Sequence, residues 1–409
     1  GFSNFGSYVG TTTTSGTTVI TGFEPAFVMI KRTDAAGFWT ILDNKRDTTN
    51  PNDKPLYANA ANAESTAQAT NFYENGFQPV TLDSDVNSSG KYIYMAFAAD
   101  PTTIEPSLED SFNTVLYTGT GATNPITGVG FQPDFTWIKS RSGTIGDFSH
   151  TLMDSVRGGS KSLSSNLTNA EVTAVTGLVS FDNNGFTVGS AAGGWNYSGS
   201  NYVAWNWKGA ELPAINSNGS IKSVVSANPA AGFSIVSWQG IGAAQSIGHG
   251  LNAVPSVIIH KRRTVGDWEV YTSTTGASQK LVLNSTAAAA SSTAFGNTTP
   301  TSDVYYAGAY ADPMIAYCFA EVSGFSKFGS FSNIGSGTLD FGFEPAFVLI
   351  KTTAITDNWR MYDNKRDTVG INSAELYPNL SNAEYTATNF ATFTSTGLDF
   401  SGGNTFFQT

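Results

Sequence analysis

One ten-residue segment recurs along the chain and constrains what the chain can fold into. It reads GFEPAFVMIK at residues 22–31, GFQPDFTWIK at 130–139 and GFEPAFVLIK at 342–351, with a degraded copy, LNAVPSVIIHK, at 251–261. Pro is tolerated only at the start or edge of a strand, and a β-branched and aromatic run follows it and ends on Lys. The sequence therefore predicts four copies of one buried strand, each entered through a tight turn.

The recurring segment divides the chain into four units. A chain of 409 residues is too long for one core, and the terminal Lys of the segment returns every 90 to 120 residues or so. We predict repeat 1 at residues 1–104, repeat 2 at 105–214, a divergent repeat 3 at 215–322 and repeat 4 at 323–409. Residues 101–109 and 213–220 are predicted to be polar linkers.

The two ends of the chain suggest a longer array. Residues 1–8 (GFSNFGSY) match residues 324–331 (GFSKFGSF), so residue 1 stands where a preceding unit would have ended. Repeat 4 reaches Gln408 and Thr409 with no counterpart of the run KYIYMAFA that closes repeat 1 at residues 91–98. We expect a segment of a longer tandem array, or a closing strand that has diverged or is supplied by a neighbouring chain.

Strand-like runs follow one another in the same order in each unit. Each unit has about seven to nine such runs, with turn residues every 8 to 12 positions or so, which predicts an all-β fold of four tandem β-sandwiches, jelly-roll or lectin-like. Residues 62–64 (NAE) are predicted to form a short helical turn. The closing strand 91–98 is apolar on both faces, which predicts a central strand covered on both sides. One aromatic residue stands at a matched place in every unit: Trp39, Phe148, Trp268 and Trp359.

Composition excludes several classes of function. The net charge is −11 without a cluster of Lys or Arg, which argues against nucleic acid and anionic membrane surfaces as partners. The sequence shows no signal peptide and no apolar run long enough to cross a bilayer. The lone Cys318 lies in an apolar run and is predicted to be a buried small hydrophobe. The three His residues are far apart in sequence, so zinc is not predicted.

A polar set recurs in three of the four units. It comprises Lys31, Asp43, Arg46, Asn59 and Glu64 in repeat 1, Lys139, Asp154, Arg157, Asn166 and Glu171 in repeat 2, and Lys351, Asp363, Arg366, Asn379 and Glu384 in repeat 4. Two acids about 5–10 Å apart could hydrolyse glycosides. The set occurs three times, however, and an Arg beside an acid keeps that acid ionised. We therefore favour a structural ion-pair and loop-capping network and predict that the chain is not an enzyme.

Two further sites are candidates for ligands. Asp83, Asp85 and Asn87 lie in an oxygen-rich turn that could hold Ca²⁺, as could residues 182–184, although such turns are common without metal. Trp195, Asn196 and Tyr197 follow two glycines in a loop unmatched in the other units. An exposed aromatic loop beside Asn suits the faces and hydroxyls of sugars, and the alternative is that the Trp plugs one end of a sheet.

Several motifs together resemble a known family. They are DSVRGGSKSLSSN at 154–166, NGF at 184–186 and YVAWNW at 202–207, then GHGL at 248–251, YCFAE at 317–321 and FSKFGS at 325–330 ahead of GFEPAFVLIK. In this order they resemble a domain of unknown function found in virion proteins of tailed phages, frequent in phages of marine bacteria and cyanobacteria. The resemblance covers nearly the whole chain. Repeat 3, without its polar set, and repeat 4, without its closing strand, depart from it.

The resemblance implies β-sandwich repeats in tail-fibre or other surface-appendage proteins, and it supplies no catalytic residue. We expect an extracellular segment on the virion surface that forms a homo-oligomer with other copies of the virion protein and binds host-surface polysaccharide. A secreted bacterial adhesin or carbohydrate-binding module is the first alternative. A polysaccharide depolymerase is the second, and it would need an acid pair unique to one unit, which the sequence does not show.

Overall fold

The protein is all-β. The computed structural model describes residues 3–73, 75–98, 111–142, 147–190, 194–210, 212–332, 337–367 and 372–400. The elements of these residues are strands in antiparallel pairs and one 3₁₀ turn, which confirms the predicted fold class. None of the described residues belongs to a helix long and apolar enough to cross a membrane.

The chain forms two compact units, Gly1–Ile104 and Glu105–Thr409. The boundaries predicted inside the second unit, after residues 214 and 322, stay predictions, and the names repeat 1 to repeat 4 are kept for the four segments. The predicted linker at 101–109 and the end of repeat 4 at 408–409 lie outside the described residues.

Repeat 1 is built from two antiparallel sheets. Five strands pair in the order β1-β8-β3-β4-β5, and three pair in the order β2-β7-β6. The strands are β1 (Ser3–Val9), β2 (Val19–Ile20), β3 (Pro25–Arg32), β4 (Trp39–Asp43), β5 (Leu56–Tyr57), β6 (Thr70–Tyr73), β7 (Gly76–Pro79) and β8 (Lys91–Ala98). The predicted closing strand is β8, and it is central, as expected.

Repeat 2 has the same two layers. One sheet has the order β12-β11-β17-β9, the second has the order β10-β16-β15, and β13 pairs with β14. The strands are β9 (Phe112–Thr118), β10 (Asn124–Thr127), β11 (Phe135–Ser142), β12 (Thr151–Asp154), β13 (Lys161–Ser162), β14 (Val172–Thr173), β15 (Leu178–Asp182), β16 (Gly185–Val188) and β17 (Asn201–Trp207).

Repeat 3 has the longest sheet, in the order β18-β19-β20-β27-β22-β23-β24-β25, and a second sheet of β21 and β26. The 3₁₀ turn Pro229–Ala231 joins β19 to β20. The strands are β18 (Ala214–Asn216), β19 (Ser223–Asn228), β20 (Phe233–Gln239), β21 (Ala243–Gly248), β22 (Val257–Arg262), β23 (Trp268–Thr272), β24 (Gln279–Val282), β25 (Ala290–Ser291), β26 (Val304–Tyr310) and β27 (Pro313–Phe319).

Repeat 4 completes the second unit. Four strands pair in the order β28-β33-β32-β31, and β29 pairs with β30. The strands are β28 (Thr338–Asp340), β29 (Phe347–Ile350), β30 (Arg360–Asp363), β31 (Asn372–Glu375), β32 (Tyr385–Thr394) and β33 (Gly397–Asp399). The recurring segment thus forms β3, β11, β22 and β29, which we call the hallmark strands.

The turn into each hallmark strand has the predicted geometry. Gly22, Gly130 and Gly342 have φ values of 84°, 90° and 80°. In the degraded copy Asn252 stands at this place with φ 55°. Gly adopts this left-handed conformation freely, and Asn tolerates it better than most residues. The degraded copy therefore keeps the turn although it has lost the Gly.

Each segment has its own hydrophobic core between its own sheets. The four cores include Val28, Phe77 and Tyr92 in repeat 1, Ile138, Phe186 and Tyr202 in repeat 2, Ile258, Tyr305 and Ala316 in repeat 3, and Tyr362 and Leu398 in repeat 4. Cys318 is fully buried in the core of repeat 3, as predicted. Two sheets around one core are the arrangement of a β-sandwich.

A fifth cluster, which we call the shared core, lies among repeats 2, 3 and 4. Its largest members are Trp137, Trp205 and Trp207 from repeat 2, Phe233, Trp268 and Tyr317 from repeat 3, and Trp359, Met361 and Leu376 from repeat 4. Alternation along a strand explains it, because successive side chains point to opposite faces. In β17, Tyr202 and Ala204 face the core of repeat 2, while Val203 and Trp205 face the shared core.

Repeat 1 departs from the prediction on this second face. Tyr92 and Tyr94 of β8 are buried as expected, but Ile93 on the opposite face is 42% exposed. The prediction that the closing strand is covered on both sides is therefore wrong for β8. The corresponding strands of repeats 2 and 3, β17 and β27, do have their second face in the shared core.

Two other local predictions are wrong. Residues 62–64 form no helical turn, and their counterparts in repeats 2 and 4 use backbone groups to bond a neighbouring repeat. The predicted linker 213–220 contains β18, which pairs with β19 and so extends the sheet of repeat 3. The polar composition of 213–220 thus concealed a strand that pairs with the next strand along the chain.

Candidate functional site

The Asp, Arg and Glu of the recurring polar set meet in repeat 2. The Arg157 Nε donates to Asp154 Oδ2 at 2.6 Å, and its Nη1 donates to Glu171 Oε2 at 3.1 Å. The side chains of Asp154 and Arg157 are fully buried. Burial opposes the charge, but the Asp154 carboxylate outweighs it and raises the pKa of Arg157 above its ordinary value.

Repeat 4 holds the same cluster. The Arg366 Nε donates to Asp363 Oδ2 at 2.5 Å and its Nη1 donates to Glu384 Oε2 at 3.0 Å, with Asp363 and Arg366 fully buried. In repeat 1 the same contacts join Arg46 to Asp43 and Glu64. There the Arg46 side chain is 27% exposed and that of Glu64 is 41% exposed.

The structure leaves the lysines of the set apart from the acids. The Nζ of Lys31 donates to the carbonyl oxygen of Arg32, that of Lys139 to Ser140 and that of Lys351 to Thr352. Burial lowers the pKa of Lys139 to about 8. Lys261 of repeat 3 is also buried, which lowers its pKa to about 8. The lysines therefore cap backbone carbonyls at the ends of the hallmark strands.

Repeats 2, 3 and 4 contact one another through one recurring element, which we call the Asn loop. It comprises residues 56–64 in repeat 1, 163–171 in repeat 2, 281–289 in repeat 3 and 376–384 in repeat 4. Within each repeat the Asn side chain of this loop accepts a hydrogen bond from a backbone N–H at the beginning of the strand that follows the hallmark strand. The pairs are Trp39 with Asn59, His150 with Asn166, Trp268 with Asn284 and Trp359 with Asn379.

This hydrogen bond corrects one sequence assignment. The residue of repeat 2 at the place of Trp39, Trp268 and Trp359 is His150, not Phe148. Phe148 lies two residues earlier and packs against Tyr197. The extra residues between the hallmark strand and β12 obscure the alignment, and the hydrogen bond to Asn166 and the strand register identify the equivalent position.

Repeat 3 docks on the Asn loop of repeat 2. The Trp268 Nε1 donates to the carbonyl oxygen of Ser164 at 2.8 Å, and the Glu171 amide donates to the carbonyl oxygen of Arg263 at 2.7 Å. The Arg263 guanidinium also binds both carboxylate oxygens of Glu171, at 2.7 and 2.9 Å. The Tyr317 hydroxyl donates to Asp154 Oδ2 at 2.8 Å.

Repeat 2 docks on the Asn loop of repeat 4 in the same manner. His150 Nε2 lies 2.9 Å from the carbonyl oxygen of Tyr377, and the Glu384 amide donates to Arg141 at 2.9 Å. The Arg141 guanidinium holds both oxygens of Glu384 at 2.8 Å. Trp205 is the equivalent of Tyr317 at this contact, since its Nε1 donates to Asp363 Oδ2 at 3.0 Å.

Repeat 4 docks on repeat 3 and closes the ring. The Trp359 Nε1 donates to the carbonyl oxygen of Val282, and the Ala289 amide donates to that of Thr353, both at 2.9 Å. Repeat 3 has Thr272 and Ala289 where the other repeats have Asp and Glu, so this contact lacks the ion pairs. Each of the three contacts thus has an indole or imidazole nitrogen at a backbone carbonyl oxygen and a backbone hydrogen bond beside it. Ion pairs are added at two of the three contacts.

The candidate Ca²⁺ ligands all have protein partners. Gln68 Nε2 donates to Asp83 and to Asp85, both at 3.2 Å, and the Phe38 amide donates to Asp85. The amide group of Asn87 binds backbone groups of Thr11, Thr13 and Thr81. Among the described residues no group of three or more His, Cys, Asp or Glu side chains converges on a common point. A Ca²⁺ site here stays a prediction.

The candidate sugar loop is wrong as an exposed platform. Trp195 is buried in the core of repeat 2, and its Nε1 donates to the carbonyl oxygen of Thr176. Asn196 is fully buried, accepts the Thr120 amide and donates to Ala122. Tyr197 is half-buried and donates its backbone amide to Tyr202. The alternative interpretation, that the Trp closes one end of the sandwich, agrees with these contacts.

The same contacts show that the loop is not unique to repeat 2. Asn196 bonds Thr120 and Ala122 as Asn87 bonds Thr11 and Thr13. The stacked pair Tyr117–Tyr202 likewise matches the stacked pair Tyr8–Tyr92, each with ring centroids 5.0 Å apart. Asn87 and Asn196, which the sequence assigned to different ligands, therefore occupy equivalent positions. Each holds in place the loop after the first strand of its repeat.

A groove between repeats 2 and 4 was not predicted. It has a volume of about 380 Å³ and is lined by Asp147, Tyr377, Asn382, Ala383, Glu384 and Tyr385. The Tyr385 side chain is 57% exposed. Asp147 accepts the Ala383 amide at 3.0 Å, and Glu384 is held by two arginines. Most of the lining residues lie close together in repeat 4, but Asp147 comes from repeat 2, so no local motif reveals the groove.

The fold and these contacts define an all-β protein whose repeats are joined by buried indole, backbone and ion-pair contacts. Residues 1–101 and 106–407 match the family described as Domain of unknown function (DUF7483), and the chain belongs to that family. Comparisons with curated proteins and with solved structures found no match. Family membership thus adds no ligand or activity to what the geometry provides.

Proposed function

We propose that the chain is a structural and adhesive segment of a phage virion appendage such as a tail fibre. The observation that carries this proposal is the closed ring of repeats 2, 3 and 4 around the shared core. A ring joined by three indole or imidazole contacts and buried ion pairs is a rigid building block. Tandem arrays of such blocks supply reach, and weak sites gain avidity when several engage together.

The virion location is supported by the motifs that resemble those of tailed-phage virion proteins. A location outside the cell agrees with the acidic, weakly charged composition. A secreted bacterial adhesin would use the same physics in another setting. Antibodies against the segment separate the two, because they label purified particles in electron micrographs in the first case and cell surfaces in the second.

The groove between repeats 2 and 4 is the best-placed site for the adhesive part of the proposal. Two tyrosine rings beside the Asn382 amide and the Asp147 carboxylate offer apolar faces and hydrogen-bonding groups together. This combination suits a sugar, whose ring has an apolar face and a rim of hydroxyls. The ligand class proposed is therefore host-surface polysaccharide.

The polar clusters support a structural role in preference to hydrolysis. A glycosidase needs one carboxyl group with a raised pKa that can donate its proton. Burial by itself would raise the pKa of Glu171, but Arg263 and Arg157 outweigh it and the pKa of Glu171 is lowered. A carboxylate held in this state is a poor general acid.

The test is binding of the purified chain to host cells and to their extracted polysaccharide, with release of reducing ends measured in the same samples. We expect saturable binding without release. Tyr385→Ala should weaken binding more than tenfold or so, whereas Tyr73→Ala, at an exposed tyrosine of repeat 1, should not. Release of reducing ends that Asp147→Asn abolishes would instead establish a depolymerase. Loss of binding in EDTA would point to Asp83 and Asp85.

A further inference from the structure

The exposed face of repeat 1 has the same composition as faces that are buried elsewhere in the chain. Phe5 on β1 is 63% exposed and Ile93 on β8 is 42% exposed. The counterparts of Ile93, read from the pairing with the hallmark strand, are Val203 and Ile315. Both are fully buried in the shared core. Repeat 1 thus presents to solvent the surface by which repeats 2 and 3 pack.

The match extends over the whole face. Phe27, Met29, Trp39 and Ile41 are half-buried in repeat 1, and so is Leu56 of the Asn loop. The equivalents of the last three are buried in the other repeats: His150, Leu152 and Leu163 in repeat 2, Trp268, Val270 and Leu281 in repeat 3, and Trp359, Met361 and Leu376 in repeat 4. An apolar face of this extent on a soluble domain marks an interaction surface.

We propose that repeat 1 associates with repeat 1 of two other copies of this chain, so that three chains form a homotrimer. Repeats 2, 3 and 4 already bury their equivalent faces against one another, so among the described residues the matching face is that of repeat 1 in another copy. The contact in the ring is head-to-tail, and a head-to-tail contact repeated with threefold rotation closes on itself.

Repeat 1 carries both halves of the contact. On one side Trp39 corresponds to Trp359, whose Nε1 donates to Val282, and Thr33 corresponds to Thr353, whose carbonyl accepts the Ala289 amide. On the other side Tyr57 and Glu64 occupy the Asn loop at the places of Val282 and Ala289. We therefore assign two hydrogen bonds to the trimer, from Trp39 Nε1 to the Tyr57 carbonyl and from the Glu64 amide to the Thr33 carbonyl of the next copy.

The chemistry of repeat 1 predicts a looser ring than that of repeats 2 to 4. Thr33 stands where repeat 2 has Arg141 and repeat 3 has Arg263, so no second guanidinium reaches Glu64. Met95 stands where Trp205 and Tyr317 donate to a buried Asp, so Asp43 gains no donor. The contact between repeats 4 and 3 lacks the same charged groups and retains the indole and backbone hydrogen bonds, which are the two assigned to repeat 1.

The mass of the full 409-residue chain tests the proposal. Sedimentation equilibrium over a hundredfold range of concentration should show a monomer–trimer equilibrium, with a limiting mass about three times 43.2 kDa. Ile93→Arg and Phe5→Arg should each raise the concentration of half-assembly more than about tenfold. Ile20→Arg is the matched control, because Ile20 is 61% exposed on the other sheet, and it should leave assembly unchanged.

A cross-link tests the geometry independently of mass. In the variant Thr33→Cys/Glu64→Cys, oxidation should join chains head-to-tail and give a ladder that ends at a covalent trimer, because the equivalent residues in the ring lie in backbone contact. The single variants should give no product beyond a dimer, and Cys318 is buried.

Three outcomes would overturn the proposal: a monomer at all concentrations, a limiting dimer, or assembly unaffected by Ile93→Arg. These outcomes do not bear on particle labelling or polysaccharide binding, so this inference and the proposed function can fail separately.

Discussion

The indole of Trp137 donates a hydrogen bond to the imidazole of His150, with 2.9 Å between Nε1 and Nδ1. Because Nδ1 accepts, the proton of the neutral ring is on Nε2, which donates to the Tyr377 carbonyl of repeat 4. Trp137 thus fixes the tautomer in which His150 Nε2 donates to a backbone carbonyl of the neighbouring repeat. Trp268 and Trp359 make the same kind of hydrogen bond in repeats 3 and 4. His150 is fully buried in this arrangement.

This relationship makes the contact between repeats 2 and 4 sensitive to acid. Burial, helped by Lys139 and Arg366, lowers the pKa of His150 well below its ordinary value of 6.5. In acid the unfolded chain takes up a proton that the folded chain does not, so stability falls as pH drops below about 6.5, by up to about 1.4 kcal/mol per pH unit. Urea unfolding at pH 7.5 and pH 5 should show a smaller loss for His150→Gln than for the wild type. Equal losses in both proteins would show that His150 does not titrate in this way.

Removal of the Tyr317 hydroxyl should weaken the contact between repeats 3 and 2. This hydroxyl donates to the fully buried Asp154, so Tyr317→Phe leaves a buried carboxylate with one donor fewer. We expect a loss of about 1–3 kcal/mol in the free energy of unfolding. Tyr305→Phe is the matched control, because no group among the described residues hydrogen-bonds the buried Tyr305 hydroxyl, and its removal should not destabilise the protein. Similar losses in the two variants would count against the proposed contact.

The buried and half-exposed copies of the Asp–Arg pair should differ in strength. Arg366→Met removes the guanidinium partner of the fully buried Asp363, and we expect a loss of about 3–5 kcal/mol in the free energy of unfolding of the second unit. The equivalent Arg46→Met acts on a pair in contact with water and should cost about 1 kcal/mol or less. Chemical denaturation of both variants provides the comparison. Equal effects would mean that burial is not the cause.

A carboxylate of repeat 2 is predicted to destabilise the protein at neutral pH. Burial raises the pKa of Asp134 to about 6, although the Gly209 amide donates to it. The unfolded chain loses this proton near the ordinary value of 3.8, so stability falls as pH rises from about 4 to 6. Asp134→Asn keeps an acceptor for Gly209 and should be more stable than wild type by about 1–3 kcal/mol at pH 7.5, with little difference at pH 4. A stability difference independent of pH would contradict this assignment.

The sequence was sufficient for the features that depend on local pattern. Alternation predicted β8 residue for residue, and the recurring Gly-Pro segment predicted the hallmark strands and the turn that Gly22 and Gly342 make. The Asp, Arg and Glu of the polar set were predicted to meet, and they do. These features are encoded within one unit, where spacing along the chain limits the geometry.

What sequence could not provide depends on contacts between units. The exposed Asn loop of repeat 1 and the buried loop of repeat 2 have similar sequences, and only packing distinguishes Asn59 from Asn166. His150 was missed because it replaces an indole with an imidazole and shifts the apparent match to Phe148. Trp195 looked like a ligand residue because a Gly-flanked Trp has the same composition whether it lies on the surface or closes a core.

The ring of repeats 2, 3 and 4 lies on one polypeptide, and this has an evolutionary consequence. In a symmetric assembly of identical chains each substitution appears at every interface at once. In the covalent ring it appears once, so the residues of one contact between repeats can change while the other two contacts maintain the ring. Repeat 3 has done so, with Thr272 and Ala289 in place of the acids. Fusion into a single gene product thus frees each copy to specialise.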